Sequence, residues 1–346
     1  MTRFFFRSPL LALWLLVFFA SGCVAQNPPR AGGSAGAPPG AATDVITVAA
    51  MGDIMLGTEN LLPPDGAKDF FADVTPYLKG RDIVFGNLEG PLTDRGYPAK
   101  DTSTGRSFCF RTPPSYGQVL KDAGFTILSM ANNHALDYGE EGRAQTVEVL
   151  DGLGIKRAGA PLELTEDRVR GHSIVYFGLA PNVGSQNIND IPGAVAMVKE
   201  ALKNDPAALV VVSFHGGAEG SGQMSLPDGP ETFLGERRGD LRVLARALID
   251  AGAAMVLGHG PHVPRGVEIY RDRLIAYSLG NFATANGINV KGANGLAPLL
   301  LAEMDGTGRI LGWRIVSFRQ KPNQGPKADP TDEAALTIER LSEALK

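Results

Sequence analysis

Five short apolar runs, each ending in a cluster of glycine, asparagine, aspartate or histidine, constrain the fold of this chain most strongly. The runs are rich in β-branched residues and end at Gly52-Asp53, Gly86-Asn87, Asn132-Asn133-His134, His215 and Gly258-His259. Segments whose apolar residues recur at helical spacing separate these runs. One such segment is 241–252, for which Asp240 is a candidate N-cap. Alternating strands and helices predict an α/β fold. Because open α/β sheets bind ligands at the carboxyl ends of their strands, we expect the five clusters to meet in one crevice.

Later segments predict a change to antiparallel strands and a closing helix. The strands are expected at 267–270, 274–278, 299–303 and 310–318, and the helix at 332–345. With 346 residues, of which 44% are hydrophobic and 20% charged, the chain is an ordinary globular protein. We expect one domain at 44–320, followed by a polar segment and C-terminal helix at 321–346. A net charge of -4 gives no basic footprint, so nucleic acid is not an expected partner.

The N-terminus predicts an export signal at 1–22. Arg3 and Arg7 precede an apolar run at 10–19, which is followed by small residues and Cys23. This ending resembles the bacterial lipobox, which implies a lipid on Cys23 and attachment to a membrane. Ala20 departs from the usual leucine, and the alternative is an ordinary cleaved signal with an incidental cysteine. Val24 in place of aspartate favours the outer membrane in a bacterium that has two membranes.

A flexible tether is expected between the predicted anchor and the folded domain. Residues 24–43 contain four prolines, four glycines and no large apolar residue except Val24. Such a composition cannot build a packed core, so the segment 23–43 is interpreted as a spacer.

Histidine placement is the sharpest chemical signal. Four of the five histidines, His134, His215, His259 and His262, come directly after predicted strands. Imidazole is the commonest metal ligand, and the oxygens of Asp53, Glu89 and Asn133 complete a mixed shell that suits zinc, manganese or iron. The alternative is that each histidine is a hydrogen-bonded core residue, which is our interpretation of His172.

Six motifs occur in order along the chain and carry a family resemblance. They are Met51-Gly-Asp-Ile-Met-Leu-Gly57, Gly86-Asn-Leu-Glu-Gly90, Ala131-Asn-Asn-His-Ala-Leu-Asp-Tyr-Gly139, Phe214-His-Gly-Gly-Ala-Glu219, Gly258-His-Gly-Pro-His-Val263 and Tyr277-Ser-Leu-Gly-Asn-Phe282. Over roughly residues 45–320 the chain resembles the bacterial capsule-synthesis protein CapA family, also called poly-γ-glutamate synthesis proteins. That family is similar to calcineurin-like metallophosphoesterases. The resemblance implies a single-domain, four-layer α/β/β/α sandwich with a dinuclear metal site at the strand ends.

The resemblance also implies roles for single residues. Asp53 matches the first-strand aspartate, Asn87 stands where a bridging aspartate is usual, and Asn133 and His134 match a pair that binds metal and protonates the leaving group. The later histidine ligands match His215, His259 and His262. Met55 replaces a usual histidine and Asn87 supplies no anion, so we expect Glu89 to replace that charge. The number of divalent metal ions, one or two per chain, therefore stays open.

Further polar residues are candidates for orienting the general acid, His134, and for binding the substrate. Asp137 is expected to orient His134, unless it only begins a turn or helix. Arg237 and Arg238 precede a predicted helix N-terminus and are candidates for an anionic substrate, unless they lie in a solvated loop. Arg265 and Asn281 are also expected to line the crevice.

Three functions follow as hypotheses. The first is a metal-dependent hydrolase of a phosphoester or amide, and the second is an accessory factor in synthesis or export of an anionic capsule polymer. The third is a non-catalytic, metal-stabilised polymer-binding module, suggested by Met55 and Asn87. Expected partners are an anionic polymer or small-molecule substrate, a membrane contacted through the lipid anchor, and capsule-synthesis membrane proteins.

Overall fold

The computed structural model describes residues 44–346, apart from 59–60, 103–106 and 286. The predicted export signal, Cys23 and tether lie outside the described residues. The strands are β1 (Ile46–Met55), β2 (Ile83–Leu88), β3 (Ile127–Ser129), β4 (Lys156–Ala158), β5 (Thr165–Val169), β6 (His172–Ala180), β7 (Gln186–Asn187), β8 (Leu209–His215), β9 (Glu231–Phe233), β10 (Glu236–Gly239), β11 (Met255–His259), β12 (Val267–Tyr270), β13 (Arg273–Ala276), β14 (Asn281–Thr284), β15 (Leu296–Met304), β16 (Ile310–Lys321) and β17 (Gly325–Ala328).

Within the described part of the chain, six α-helices accompany these strands. They are α1 (Thr75–Leu78), α2 (Gly117–Ala123), α3 (Gly139–Gly152), α4 (Ile191–Asn204), α5 (Leu241–Asp250) and α6 (Glu333–Glu343). The predicted helix start at Asp240 is confirmed, because its carboxylate accepts a hydrogen bond from the Val243 N–H. Among the described residues, no helix has both the length and the apolar character that crossing a membrane requires.

The larger sheet has eight strands in the order β17-β16-β15-β1-β2-β3-β4, with β14 beside the second half of β1. Strands β1 to β4 run parallel, whereas β15, β16 and β17 are antiparallel to their neighbours. The carboxyl ends of β1, β2 and β3 therefore lie at one edge, as the sequence predicts.

The second sheet has seven strands in the order β12-β13-β11-β8-β6-β5, with β7 beside β6. Its central strands are parallel, and β8 and β11 end side by side, with His259 in register with His215. A separate hairpin of β9 and β10 lies between β8 and α5 in the chain.

Three apolar cores separate four layers. The middle core joins the two sheets, for example through Val48 and Phe85 on the larger sheet and Val211 and Leu257 on the second. An outer core packs the larger sheet against α2 and α3, and the other packs the second sheet against α4 and α5. The expected α/β/β/α sandwich is therefore confirmed.

Two of the differences from the predicted boundaries change the extent of the folded unit or of a site strand. Strand β1 continues past Met51 to Met55, because its last residues pair with β14 and β2. The segment after residue 320 belongs to the same folded unit, since β17 extends the larger sheet and Ile338 of α6 is buried in the middle core. Long-range pairing decides both boundaries, and no local pattern announces it.

Candidate metal centre

Asp53 sits at an irregularity in β1 where the chain passes very close to its neighbour. A Cβ atom on Gly52 would lie 1.9 Å from the Gly280 carbonyl oxygen, so only glycine fits this approach. The Asp53 N–H donates to the same carbonyl at 2.9 Å. Asp53 is in register with Asn87 of β2 and Asn281 of β14, and it is fully buried. The side-chain carboxylate of Asp53 is therefore buried at the edge of the larger sheet where β1 and β2 end.

Asp53, Glu89 and His262 form a compact group of potential ligands. One ligand atom from each lies within 4.8 Å of the other two. His262 Nδ1 is 3.0 Å from Asp53 Oδ2, and His262 Nε2 is 3.7 Å from Glu89 Oε1. His215 adds a second imidazole, with Nε2 3.8 Å from Glu89 Oε1. Two carboxylates and two imidazoles make the mixed oxygen and nitrogen set that divalent transition metals prefer.

Several polar atoms of this group are buried without a hydrogen-bond partner. They are both carboxylate oxygens of Glu89 and Nε2 of His215. Oδ1 of Asn133 is also buried without a hydrogen-bond partner, but the recorded contacts of Asn133 do not join it to this group. A buried carboxylate with no donor costs several kcal/mol unless it is paired or coordinates a metal. A divalent cation bound between these atoms would satisfy them, so the residues present fit the expected metal.

The pKa shifts of Glu89, His262 and His215 indicate a site that favours bound positive charge. Burial raises the pKa of Glu89 to about 8, and the neighbouring carboxylate of Asp53 adds to that rise. Burial opposes charge on His262, but Glu89 and Asp53 outweigh it and raise its pKa to about 10. Burial lowers the pKa of His215 well below its ordinary value. Without a cation, the site therefore holds protons in its place.

His262 has a strained backbone, with φ of 59°. A non-glycine residue in this left-handed region is uncommon and persists only when its surroundings hold it there. Here Nδ1 also lies 3.1 Å from Asn281 Oδ1, and the Asn294 side-chain amide donates to the His262 carbonyl at 3.1 Å. Asn281, predicted to contact substrate, is instead fully buried and positions His262.

An amide network occupies the place where the bridging carboxylate was expected. Asn87 Nδ2 donates to Asp53 Oδ1 at 2.8 Å, and Asn87 Oδ1 accepts from Asn132 Nδ2 at 3.0 Å. Asn132 also donates to the Leu88 carbonyl at 2.9 Å. Metal binding was predicted for Asn133 and no role for Asn132, although both stand in the same motif.

His134 is held by a buried carboxylate and an aromatic ring. Its Nδ1 lies 2.7 Å from Asp137 Oδ2, the contact expected from the spacing, which leaves Nε2 for the cleft. Phe110 stacks on the imidazole with ring centres 4.2 Å apart. Lys100 Nζ, which the sequence analysis did not identify, lies 2.6 Å from Asp137 Oδ1 and donates to the Asn133 carbonyl at 2.8 Å. Burial lowers the pKa of His134 despite the nearby carboxylate.

His259, expected among the metal ligands, lies apart from the compact group. Its Nε2 is 3.2 Å from the Met51 carbonyl oxygen, and its ring packs against Phe85 in the middle core. Burial lowers its pKa, so it is a neutral donor to the backbone. This is the hydrogen-bonded core histidine that the sequence analysis gave as the alternative.

None of the three candidate arginines offers the site a free guanidinium group, and only Arg238 reaches it, through Glu219. Arg237 is exposed on β10, in a strand where the sequence suggested a loop. Arg265 is fully buried and makes two hydrogen bonds to Glu231, at 2.8 and 2.7 Å. Arg238 is buried and bonds Glu219 at 2.9 Å and Glu236 at 2.8 Å. The last two arginines therefore serve structural ion pairs rather than a free anion site.

Glu219 is a site residue that the sequence analysis quoted in a motif without assigning it a role. Its Oε2 lies 3.8 Å from His262 Nε2, while Oε1 accepts from Arg238. It lines a cleft of about 400 Å³ that His262 and His134 also reach, together with Phe110 and Phe233. The cleft therefore connects Glu219, His262 and His134 to the solvent.

Comparison with known proteins places these features in a family. The family described as "Bacterial capsule synthesis protein PGA_cap" matches residues 47–286. A "PGA biosynthesis protein CapA" of Bacillus subtilis is 32% identical over 287 residues, covering 77% of this chain and 70% of that protein. A "Capsule biosynthesis protein CapA" of Bacillus anthracis is 30% identical over 265 residues, covering 70% and 60%.

A "Probable polyglutamine synthesis accessory protein" of Mycobacterium tuberculosis is 28% identical and covers 86% of this chain and 92% of that protein. Among solved structures, a 5'-nucleotidase precursor from Thermus thermophilus aligns with a TM-score of 0.44 and 14% identity, covering 87% of this chain and 59% of that one. An NAD nucleotidase of Haemophilus influenzae aligns at 0.42 and 12%, covering 86% and 56%. Structural similarity at this level says nothing about substrate.

Proposed function

The chain belongs to the bacterial capsule synthesis protein PGA_cap family, and from that premise we propose that it is a metal-dependent hydrolase acting in the synthesis or export of an anionic capsule polymer of the poly-γ-glutamate type. One observation carries the metal-dependent part. Both oxygens of Glu89 are buried without a partner, beside Asp53 and His262. Burying a carboxylate without a partner costs free energy, and a bound cation would offset that cost.

Asp53, Glu89 and His262 would hold the first cation, and His215, whose Nε2 lies 3.8 Å from Glu89 Oε1, is the next ligand. Asn87 and Asn133 stay candidates from the family resemblance. The metals that suit this donor set are manganese, zinc and iron, at one or two per chain. When bound, such a cation supplies an activated water and stabilises charge on a phosphoryl or acyl oxygen.

The remaining roles belong to side chains of this chain. As the imidazolium, His134 would give its Nε2 proton to a leaving group in the cleft, while Asp137 fixes the ring through Nδ1 and favours that charged form. Lys100 neutralises Asp137 from its other side. Phe110 packs on the imidazole and limits the access of water to it.

The location we propose is outside the cytoplasm. The apolar run at 10–19 and the small residues before Cys23 support export and lipid attachment, most consistent with the outer membrane. An anchored protein would meet a polymer as it leaves the membrane, together with capsule-synthesis membrane proteins. An anionic polymer, or a small phosphoester or amide, would be its ligand.

A second candidate is a metal-stabilised polymer-binding module without catalysis. The observation that favours it is Asn87, whose amide is committed to Asp53 and Asn132 and brings no negative charge to bridge two metals. Met55, which stands where the metallophosphoesterase pattern has a histidine, is also buried.

Deletion of the gene followed by complementation tests these proposals. We expect the deletion strain to lose surface polymer and the wild-type chain to restore it. Variants Glu89→Gln and His134→Ala should both fail if the protein is a hydrolase, whereas restoration by His134→Ala but not by Glu89→Gln would favour the binding module. Normal surface polymer in the deletion strain would refute both polymer roles. A Cys23→Ser variant that is released from the membrane fraction would support the anchor.

A further inference from the structure

Glu219 lies between the compact group of potential ligands and the cleft. Its side chain is 20% exposed, whereas Asp53 and Glu89 are fully buried. The two oxygens of the Glu219 carboxylate have different surroundings. Oε1 accepts a hydrogen bond from Arg238 at 2.9 Å, and Oε2 lies 3.8 Å from His262 Nε2. Within the part of the chain that the structure describes, no group donates a hydrogen bond to Oε2, so this oxygen is available to a ligand.

Backbone hydrogen bonds hold Glu219 beside His262. The N–H of the preceding residue donates to Glu231 Oε2 at 2.9 Å. The N–H of the following residue donates to the Pro261 carbonyl at 3.1 Å. Because Pro261 directly precedes His262, this second bond fixes the loop of Glu219 against the loop of His262. The two side chains are therefore neighbours by virtue of the fold, as a site with preorganised ligands requires.

Arg238 fixes the orientation of this carboxylate. Its guanidinium is buried and donates from all three nitrogens, to the Gly217 carbonyl at 3.2 Å, to Glu236 at 2.8 Å and to Glu219 at 2.9 Å. A planar guanidinium with three such bonds has one orientation, so it holds Oε1 in a set direction. Carboxylates that bind metals are commonly held by a hydrogen bond of this kind, which leaves the other oxygen for the ion.

The distances between the polar atoms suit a shared cation better than hydrogen bonds. His262 Nε2 lies 3.7 Å from Glu89 Oε1 and 3.8 Å from Glu219 Oε2. Both distances exceed the length of a hydrogen bond. Two ligands of one zinc ion stand about 3.4 Å apart, because each lies about 2.1 Å from the ion in a tetrahedral arrangement. A small inward rotation of the Glu219 side chain closes the difference.

We infer that Glu219 Oε2 is a further ligand of the metal ion, next to Glu89 and His262. Arg238 is the positioning residue of this ligand. The inference rests on the proposed metal-dependent function. A third carboxylate adds negative charge to that of Asp53 and Glu89, and the number of charged ligands sets how tightly a site holds a divalent cation. Glu219 and His262 line the cleft, so an ion that they share has a side open to substrate, as catalytic metal sites do.

Cobalt(II) binding tests the assignment, because the absorption spectrum of this ion depends on the ligands around it. The full chain is purified in detergent, stripped of metal with a chelator and titrated with cobalt. We expect Glu219→Gln to bind cobalt about 100-fold more weakly than the parent and to change the spectrum of the bound ion. Glu236→Gln is the matched control, since Glu236 bonds the same arginine outside the compact group. It should keep the affinity and the spectrum of the parent.

The two variants also separate metal binding from folding. Each leaves Arg238 one carboxylate partner, so their metal-free forms should melt at about the same temperature. Parent-like binding by Glu219→Gln, or weaker binding with an unchanged spectrum, would overturn the inference and leave the metal-dependent function in place. An equal loss of affinity in Glu236→Gln would also overturn it, because the ion pairs of Arg238 would then explain the effect. A parent protein that binds no cobalt would refute both the inference and the metal-dependent function.

Discussion

His262 Nδ1 lies 3.0 Å from Asp53 Oδ2, which joins two residues 209 positions apart. Asp53 belongs to β1 of the larger sheet, whereas His262 follows β11 of the second sheet. The candidate metal centre therefore spans the seam between the sheets and exists only when the middle core is packed. Glu89, after β2, completes the group from the larger sheet.

Replacing Glu89 should abolish metal binding without unfolding the protein. Glu89→Gln removes a carboxyl group that is costly to bury and whose oxygens accept no hydrogen bond, so we expect the metal-free protein to keep or gain stability. Elemental analysis of the purified protein measures the bound metal, and thermal unfolding measures the stability. Glu236→Gln, which changes a carboxylate outside the compact group, should leave metal content unchanged. Full metal occupancy in Glu89→Gln would refute the assignment.

Metal affinity should rise with pH. Metal ligands bind in their deprotonated forms, whereas burial raises the pKa of Glu89 to about 8 and nearby carboxylates raise that of His262 to about 10. At neutral pH a cation must therefore displace protons, and raising the pH removes that competition. Calorimetric titration with manganese between about pH 6 and pH 9, in buffers of different ionisation enthalpy, should show proton release. Affinity that does not change with pH would contradict this expectation.

Asp137→Asn should impair His134 while sparing the metal. The carboxylate fixes the ring through Nδ1 at 2.7 Å, and an amide in its place permits the wrong tautomer. If His134 is the general acid, turnover of a cleaved substrate should fall by about 10² to 10⁴. Nitrogen NMR of the imidazole should show a changed tautomer, and metal content should not change. An unaltered imidazole spectrum would exclude the positioning role.

Arg265→Met should destabilise the fold severely. It leaves the Glu231 carboxylate buried opposite an apolar side chain, which typically costs about 3–5 kcal/mol. Urea unfolding measures the loss, and the added change Glu231→Gln should recover part of it. Arg237→Met, at an exposed position, should stay within about 0.5 kcal/mol of the parent. Equal stability of the two single variants would show that the ion pair is unimportant.

The sequence predicted much of the fold and the centre of the site. Hydrophobic patterning located strands β1, β2, β3, β8 and β11, and helix α5 with its Asp240 cap, because these signals are local. The polar strand ends correctly brought Asp53, Glu89 and His262 to one edge, since parallel strands share a direction. Metal binding by these residues stays a prediction.

Other features depended on partners that lie far away in sequence. Arg265 and Arg238 looked available for an anionic substrate, yet their guanidinium groups bond Glu231 and Glu219. His259 came from the same short motif as His262, but its ring points to the Met51 carbonyl. Ring direction after a strand end depends on packing, and spacing does not encode it.

Local sequence patterns were enough to predict the alternation of strands and helices and the edge at which polar side chains collect. The export signal at 1–22 stays a prediction, since it lies outside the described residues. Which of the buried polar atoms have hydrogen-bond partners follows only from the packing of the two sheets. Hydrogen bonds and ion pairs consume most donors and acceptors in the interior, and the buried oxygens of Glu89 stay unpartnered. The set of unpartnered polar atoms depends on all of the surrounding residues together. Each buried polar group needs a hydrogen-bond partner, and only the packing of the sheets brings such partners within reach.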